Sequence, residues 1–230
     1  MVAYSELKEQ LLDAALGHVP FDGWSETTFR AAATEADVDM TMARAVCPRG
    51  AVDLARAYHS RGDDLMVKAI RESDQPEKYR DKIAAAVRFR IEAVSDKEAV
   101  RRGTTLFALP MYAGDGAKLI WGTADLIWST LGDTSDDINW YTKRATLSGV
   151  YSATVLFWLG DTSPDHQATW EFLDRRIEDV MKIEKVKAQM RDNKLLGTLF
   201  AGPNWLLGRV KAPTQMPNVD LPGSWTAPRQ

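Results

Sequence analysis

The sequence predicts an all-α protein, a helical bundle that begins with a short three-helix unit. Three observations predict it. Apolar residues recur at spacings of three and four along most of the chain. No stretch keeps the period-two alternation of a half-buried strand. Proline and glycine fall between the periodic segments, where helices have to stop.

The first helix is expected from about Ser5 to Leu16, on Leu7, Leu11, Leu12 and Ala15. A turn at Asp22-Gly23 leads to Ser25, an N-cap candidate, and to a second helix from Thr28 to Ala36. MTMARAV forms a short third helix ahead of Pro48. A long linking helix follows from Ala51 to Asp74, closed near Gln75-Pro76. Lys78 to Arg101 reads as one helix, with Ile83, Val87, Phe89, Ile91 and Val94 on its buried side. Residues 106–119 are broken by Pro110 and Gly114, which suggest a flexible entrance. Helices from Lys118 to Leu131, Asp137 to Leu159 and Pro164 to Lys185 complete the body, the last capped by Ser163. A segment from Val186 to Lys211 follows, then a tail with four prolines. The implied organisation is a vestigial helix-turn-helix unit over 1–50 and a ligand-binding and dimerisation domain over 51–185. A basic amphipathic segment covers 186–211 and a flexible tail 212–230.

With 230 residues, 45% apolar and 27% charged, the chain has the material for a real core. No apolar run reaches the roughly 20 residues of a spanning helix. The opening MVAYSELKEQLLDAAL lacks the basic start and unbroken apolar stretch of a signal peptide. The expected location is therefore a bacterial cytoplasm. Cys47 is the lone cysteine, so neither an internal disulfide nor a cysteine metal cluster is expected.

DNA binding is disfavoured by charge. Phosphate neutralisation needs Lys and Arg on the docking face. Between Trp24 and Arg56 the cations are Arg30, Arg44, Arg49 and Arg56, against Glu26, Glu35, Asp37, Asp39 and Asp53. Catalysis finds no support either. His18, His59 and His166 lack ligand spacing, and Asp136-Asp137 reads as a helix cap because neighbours on a helix diverge by about 100°. No catalytic residue, metal or other cofactor is expected.

VYSATVLFW (150–158) carries apolar groups on nearly every side, as a central helix surrounded by others would. Trp121, Trp128, Val155, Trp158, Trp170, Phe172, Leu173 and Ile177 are the candidates for a lipid cavity. Bulky apolar groups at inward positions either fill a core or line a cavity, and periodicity does not choose. In residues 185–211, Lys194, Arg209 and further cations flank Leu195, Leu196, Leu199, Phe200, Trp205 and Leu206. A helix of that length, about 20 Å, suits a membrane surface better than a crossing. A last helix docked on the body is the alternative.

Four stretches carry a family resemblance: LLDAALGHVPFDGW (11–24), FALPMY (107–112), DINWYTKRA (137–145) and SPDHQATWEFLDRRIEDVM (163–181). With the N-terminal triplet, they resemble the Coq-nine family of lipid-binding accessory proteins of ubiquinone biosynthesis, over about residues 7–184. The resemblance implies a TetR-regulator-like fold, a homodimer and a pocket for an isoprenoid or phospholipid ligand. It implies no enzymatic activity. It also implies a partner, the di-iron demethoxyubiquinone hydroxylase, met at the inner face of the membrane. The patch implied for that partner is Asp137, Asn139, Trp140, Tyr141 and Arg144. Asp137, Trp140, Tyr141 and Arg144 share one helical face by spacing, and that face is expected to be open. A TetR-type regulator binding DNA and a hydrophobic ligand is the alternative.

Overall fold

The structure, a computed structural model, describes residues 4–94, 96–192 and 211–212, with 183–192 described by backbone alone. Helices α1 (Tyr4–Asp22), α2 (Glu26–Glu35) and α3 (Met40–Val46) form the triplet. Then come α4 (Ala51–Glu72), α5 (Tyr79–Glu92), α6 (Lys97–Ala108), α7 (Ala113–Thr130) and α8 (Ile138–Gly160). A 3₁₀ turn at Pro164–His166 opens α9 (Gln167–Asp192). No strand occurs among the described residues.

Short polar side chains start these helices by accepting from backbone N–H groups that have no partner in the first turn. Ser25 Oγ takes Thr28 N at 3.2 Å, Asp39 takes Thr41 N at 2.8 Å, and Asp137 takes Asn139 N at 2.8 Å. Asp96 accounts for the largest departure from the expected pattern. The single helix expected over 78–101 is two, because Asp96 accepts from Glu98 N at 2.8 Å and Ala99 N at 3.1 Å and begins α6 afresh. At the other end, α9 continues past Lys185 to Asp192.

Two apolar cores result. One joins Leu11, Leu12, Val19 and Phe29 of the triplet to Leu54 of α4 and Ala99 of α6. The other gathers Met66, Val87, Ile127, Leu147, Trp158, Leu173 and Ile177 from α4, α5, α7, α8 and α9. The expectation that 150–158 is enclosed on all sides is corrected: Leu156 is 59% exposed and Phe157 38% exposed. Helix α8 therefore has an open apolar stripe within this chain, on which Phe157 stacks with Phe172 of α9 at 4.5 Å.

Candidate ligand cavity

Helices α4 to α8 do not close completely on one another. Between them lies a cavity of about 410 Å³, within the range of small-molecule sites. Its walls are mostly apolar, including Ala55, Ile91, Val100, Phe107, Ile120 and Val155. Exposed Ala108, Ala113, Ala117 and Leu156 mark its rim. Buried Ala55, Arg90, Ile91 and Tyr151 mark its inner end. Trp24 joins the wall from the triplet, its indole N–H donating to the Ala99 carbonyl at 3.0 Å. The break expected at Gly114 is not there: Gly114 and Gly116 both lie in the first turn of α7, and the chain turns before it, at 109–112. A Cβ on Gly116 would sit 2.9 Å from Phe107 Cβ, so this glycine lets α6 and α7 meet beside the cavity.

The inner end is polar. Arg90, 3% exposed, donates from Nε to Asp63 Oδ1 at 2.6 Å and from Nη2 to the His59 carbonyl at 2.9 Å. Thr123 Oγ1 donates to Asp63 Oδ1 at 2.9 Å and lies 2.8 Å from His59 Nε2. Helix α4 makes room for the guanidinium at Gly62, where a Cβ would lie 2.5 Å from Arg90 Nη1. Burial, and then the charge of Arg90, push the His59 imidazole down to about 3. It is thus neutral at ordinary pH, with Nε2 in hydrogen-bond contact with the Thr123 hydroxyl, which itself donates to Asp63. Burial raises Asp63 despite Arg90.

A pH dependence follows with a fixed sign. The unfolded chain protonates His59 near pH 6.5 and the folded chain near 3, so stability is full above 6.5 and falls with acid. Between pH 6.5 and 5, denaturation midpoints of His59→Gln should fall less than those of the parent. The difference in slope should be about 1 kcal/mol per pH unit.

The eight lipid candidates separate. Val155 and Trp158 line the cavity. Trp128 and Ile177 line a second hollow, of about 270 Å³, between α5, α7, α8 and α9. Trp121, Trp170, Phe172 and Leu173 line neither. Trp121 packs on Trp140 at 6.0 Å, and Trp170 donates to the Asp165 carbonyl at 2.9 Å beneath Arg88. Phe172 stacks on Phe157, and Leu173 is 2% exposed in the core. Helix α9 contributes no residue to the first cavity: Phe172 and Leu173 are spent on packing, and Ile177 faces the second hollow. Sequence reasoning missed Trp24, Tyr58, His59, Arg90 and Phe107. The signal was present: His59, Gly62 and Asp63 interrupt the stripe of Ala55, Met66 and Ile70, and Arg90 falls between Val87 and Ile91.

At the start of α8, Asp137 and Asn139 are exposed and Trp140 and Tyr141 half-buried. Arg144 departs from the expected open face, being 2% exposed. It donates to Asp125 at 2.5 Å and Asp133 at 3.0 Å, and lies 4.0 Å over the Trp140 ring. Lys143 Nζ also reaches Asp133, at 2.7 Å. Burial alone would raise the Asp133 carboxyl, but hydrogen bonds from Lys143, Ser135 and Arg144 bring it down to about 2. The two cations of this segment therefore hold the α7–α8 linker. Residues 211–212 return to the same place, Ala212 N donating to the Asp136 carbonyl at 2.8 Å and Tyr141 Oη to the Lys211 carbonyl at 3.3 Å. The membrane candidates Lys194, Leu195, Leu196, Leu199, Phe200, Trp205, Leu206 and Arg209 lie outside the described residues. Among the described residues no helix is long and apolar enough to cross a membrane.

Comparison with known proteins agrees with this architecture. A family model described as COQ9 matches residues 113–184. The chain is 30% identical over 188 residues to the mitochondrial ubiquinone biosynthesis protein COQ9 of Xenopus tropicalis, covering 76% of this chain and 58% of that protein. It is 32% identical over 189 residues to COQ9-A of Xenopus laevis, with the same coverages. The human COQ9 is 27% identical over 198 residues, covering 81% and 61%. The chain thus spans about three fifths of the length of these relatives. Among solved structures, a TetR transcriptional regulator from Nitrosomonas europaea has a TM-score of 0.59 at 16% identity, covering 75% of this chain and 96% of that one. That likeness gives the fold. With a family match inside its larger core and relatives aligned over three quarters of its length, the chain is similar to the COQ9 proteins.

Proposed function

We propose that this protein is a non-enzymatic lipid carrier of ubiquinone biosynthesis. It holds a hydrophobic isoprenoid intermediate in the α4–α8 cavity and delivers it, at the membrane, to the di-iron demethoxyubiquinone hydroxylase. The observation that carries this reading is the apolar cavity of about 410 Å³ with an exposed rim, in a chain whose relatives are named for ubiquinone biosynthesis. An apolar tail longer than the cavity would leave through the rim near Leu109 and Met111, which are 45% and 75% exposed. The hydroxylase would meet the exposed Asp137 and Asn139 with Trp140 and Tyr141, while Arg144 supports that surface from behind. A second copy of the chain would cover Leu156 and Phe157 on α8.

The regulator reading fits the fold but not the charges. All four cations between Trp24 and Arg56 are engaged by carboxylates: Arg30 and Arg44 by Glu26, Arg49 and Arg56 by Asp53 and Asp115. Binding phosphate would require breaking these pairs. Solvent extraction of the purified full chain, followed by mass spectrometry, tests the proposal. A prenylated ring lipid or other apolar lipid is expected at a substantial fraction of one per chain. Protein that is lipid-free and fails to bind liposomes loaded with such a lipid would refute it.

A further inference from the structure

Arg90 is an expensive residue to keep where it is. Its guanidinium has five N–H donors, of which Nε and Nη2 reach Asp63 and the His59 carbonyl. Among the described residues, Nη1 has no hydrogen-bond acceptor. A buried charged pair is often no more stabilising than an apolar pair of the same volume, so packing alone is a weak reason for this one. In its present position it also leaves no room for a Cβ at Gly62 of α4. Yet the pair stands at the inner end of an otherwise apolar cavity, beside Tyr151, whose ring centroid is 5.9 Å from the Arg90 guanidinium carbon.

We infer that Arg90, held by Asp63, forms with Tyr151 a subsite for a neutral, oxygen-bearing head group, a ring carbonyl or hydroxyl. The ligand's apolar tail then runs toward the rim at Ala108 and Ala113. This rests on the carrier reading and adds the orientation of the ligand and the head chemistry it must have. The charge balance selects the class. Arg90 is the one ionised group among the lining residues, and Asp63 already offsets it at 2.6 Å. A phosphate or carboxylate entering here would be a second, uncompensated anion in apolar surroundings, which is strongly disfavoured. A neutral oxygen acceptor satisfies the open Nη1 donor and adds no charge. Nearby His59 is neutral and already committed to Thr123, so it supplies no compensating cation. The head group is sequestered at the closed end during transport and leaves last on delivery.

The test uses the full chain and three tail-matched probes: decylbenzoquinone, decylbenzene and 4-decylbenzoate. Each is titrated for displacement of a fluorescent hydrophobic dye from the cavity. The quinone is expected to bind about tenfold more tightly than decylbenzene, the scale of one hydrogen bond from a charged donor, and the benzoate no better than decylbenzene. In the double variant Arg90→Met/Asp63→Asn, which removes both charges together, the quinone preference should shrink to within about twofold while decylbenzene affinity is kept. Equal affinity of the unmodified chain for quinone and hydrocarbon would overturn the inference alone, whether or not the double variant folds. So would tighter binding of the benzoate, or a preference that survives in the double variant. Failure of all three probes to bind would overturn the carrier reading and this subsite with it.

Discussion

Arg144→Glu should cost about 3–5 kcal/mol of folding stability, the usual scale for removing one partner of a buried ion pair. Arg144 is 2% exposed, and its donors meet Asp125 and Asp133, itself only 2% exposed at the side chain. Glutamate would leave Asp133 with Lys143 as its one cationic partner and add a third carboxylate to the cluster. It would also remove the cation lying over Trp140. For a chain of this size each kcal/mol shifts the melting temperature by about 2–4 °C, so a fall of roughly 10 °C or more is expected by calorimetry. Trp140→Ala should be milder, because the ion pairs remain. A melting temperature unchanged by Arg144→Glu would mean that the arginine belongs to an open surface after all. Acid tests the same cluster: the stabilisation of ionised Asp133 is present above about pH 3.9 and lost as pH falls through about 2.

Val155→Trp should empty the cavity. Val155 is half-buried on α8 and forms part of the cavity wall. The larger ring has open space to enter, so the overpacking penalty of about 1–3 kcal/mol that a filled core would impose should be mostly avoided. Lipid recovered per mole of purified chain should fall tenfold or more, with melting temperature within a few degrees of the parent. Undiminished lipid together with a large loss of stability would show that Val155 packs in a solid wall.

Much of the fold was legible because helices announce themselves by period and by caps. Ser25 and Asp137 are local signals, and each starts its helix as the sequence suggests. The break before α6 was missed because Val94 continues the apolar spacing of α5, although Asp96 ahead of Glu98 is a cap signal of the same kind, which its hydrogen bonds confirm. The site was harder to read. Trp121, Trp170, Phe172 and Leu173 are large, apolar and inward by period, but whether such a group meets a neighbour or a void depends on how helices far apart in sequence approach. Arg90 and His59 looked like isolated polar residues, 31 positions apart, until the fold brought one onto the other's carbonyl. Arg144 was misjudged for a related reason. A cation beside an aromatic reads equally well as a partner surface or as a clamp on the preceding linker, and its carboxylate partners lie 11 and 19 residues upstream.

The tight meeting of Gly62 with Arg90 has a bearing on descent. A side chain at 62 would meet the guanidinium of Arg90 where it now lies, so the arginine could not keep its present position beside it. A lineage that gained even a methyl group at the first would have to move or shorten the second, and with it the one charged group that lines the cavity.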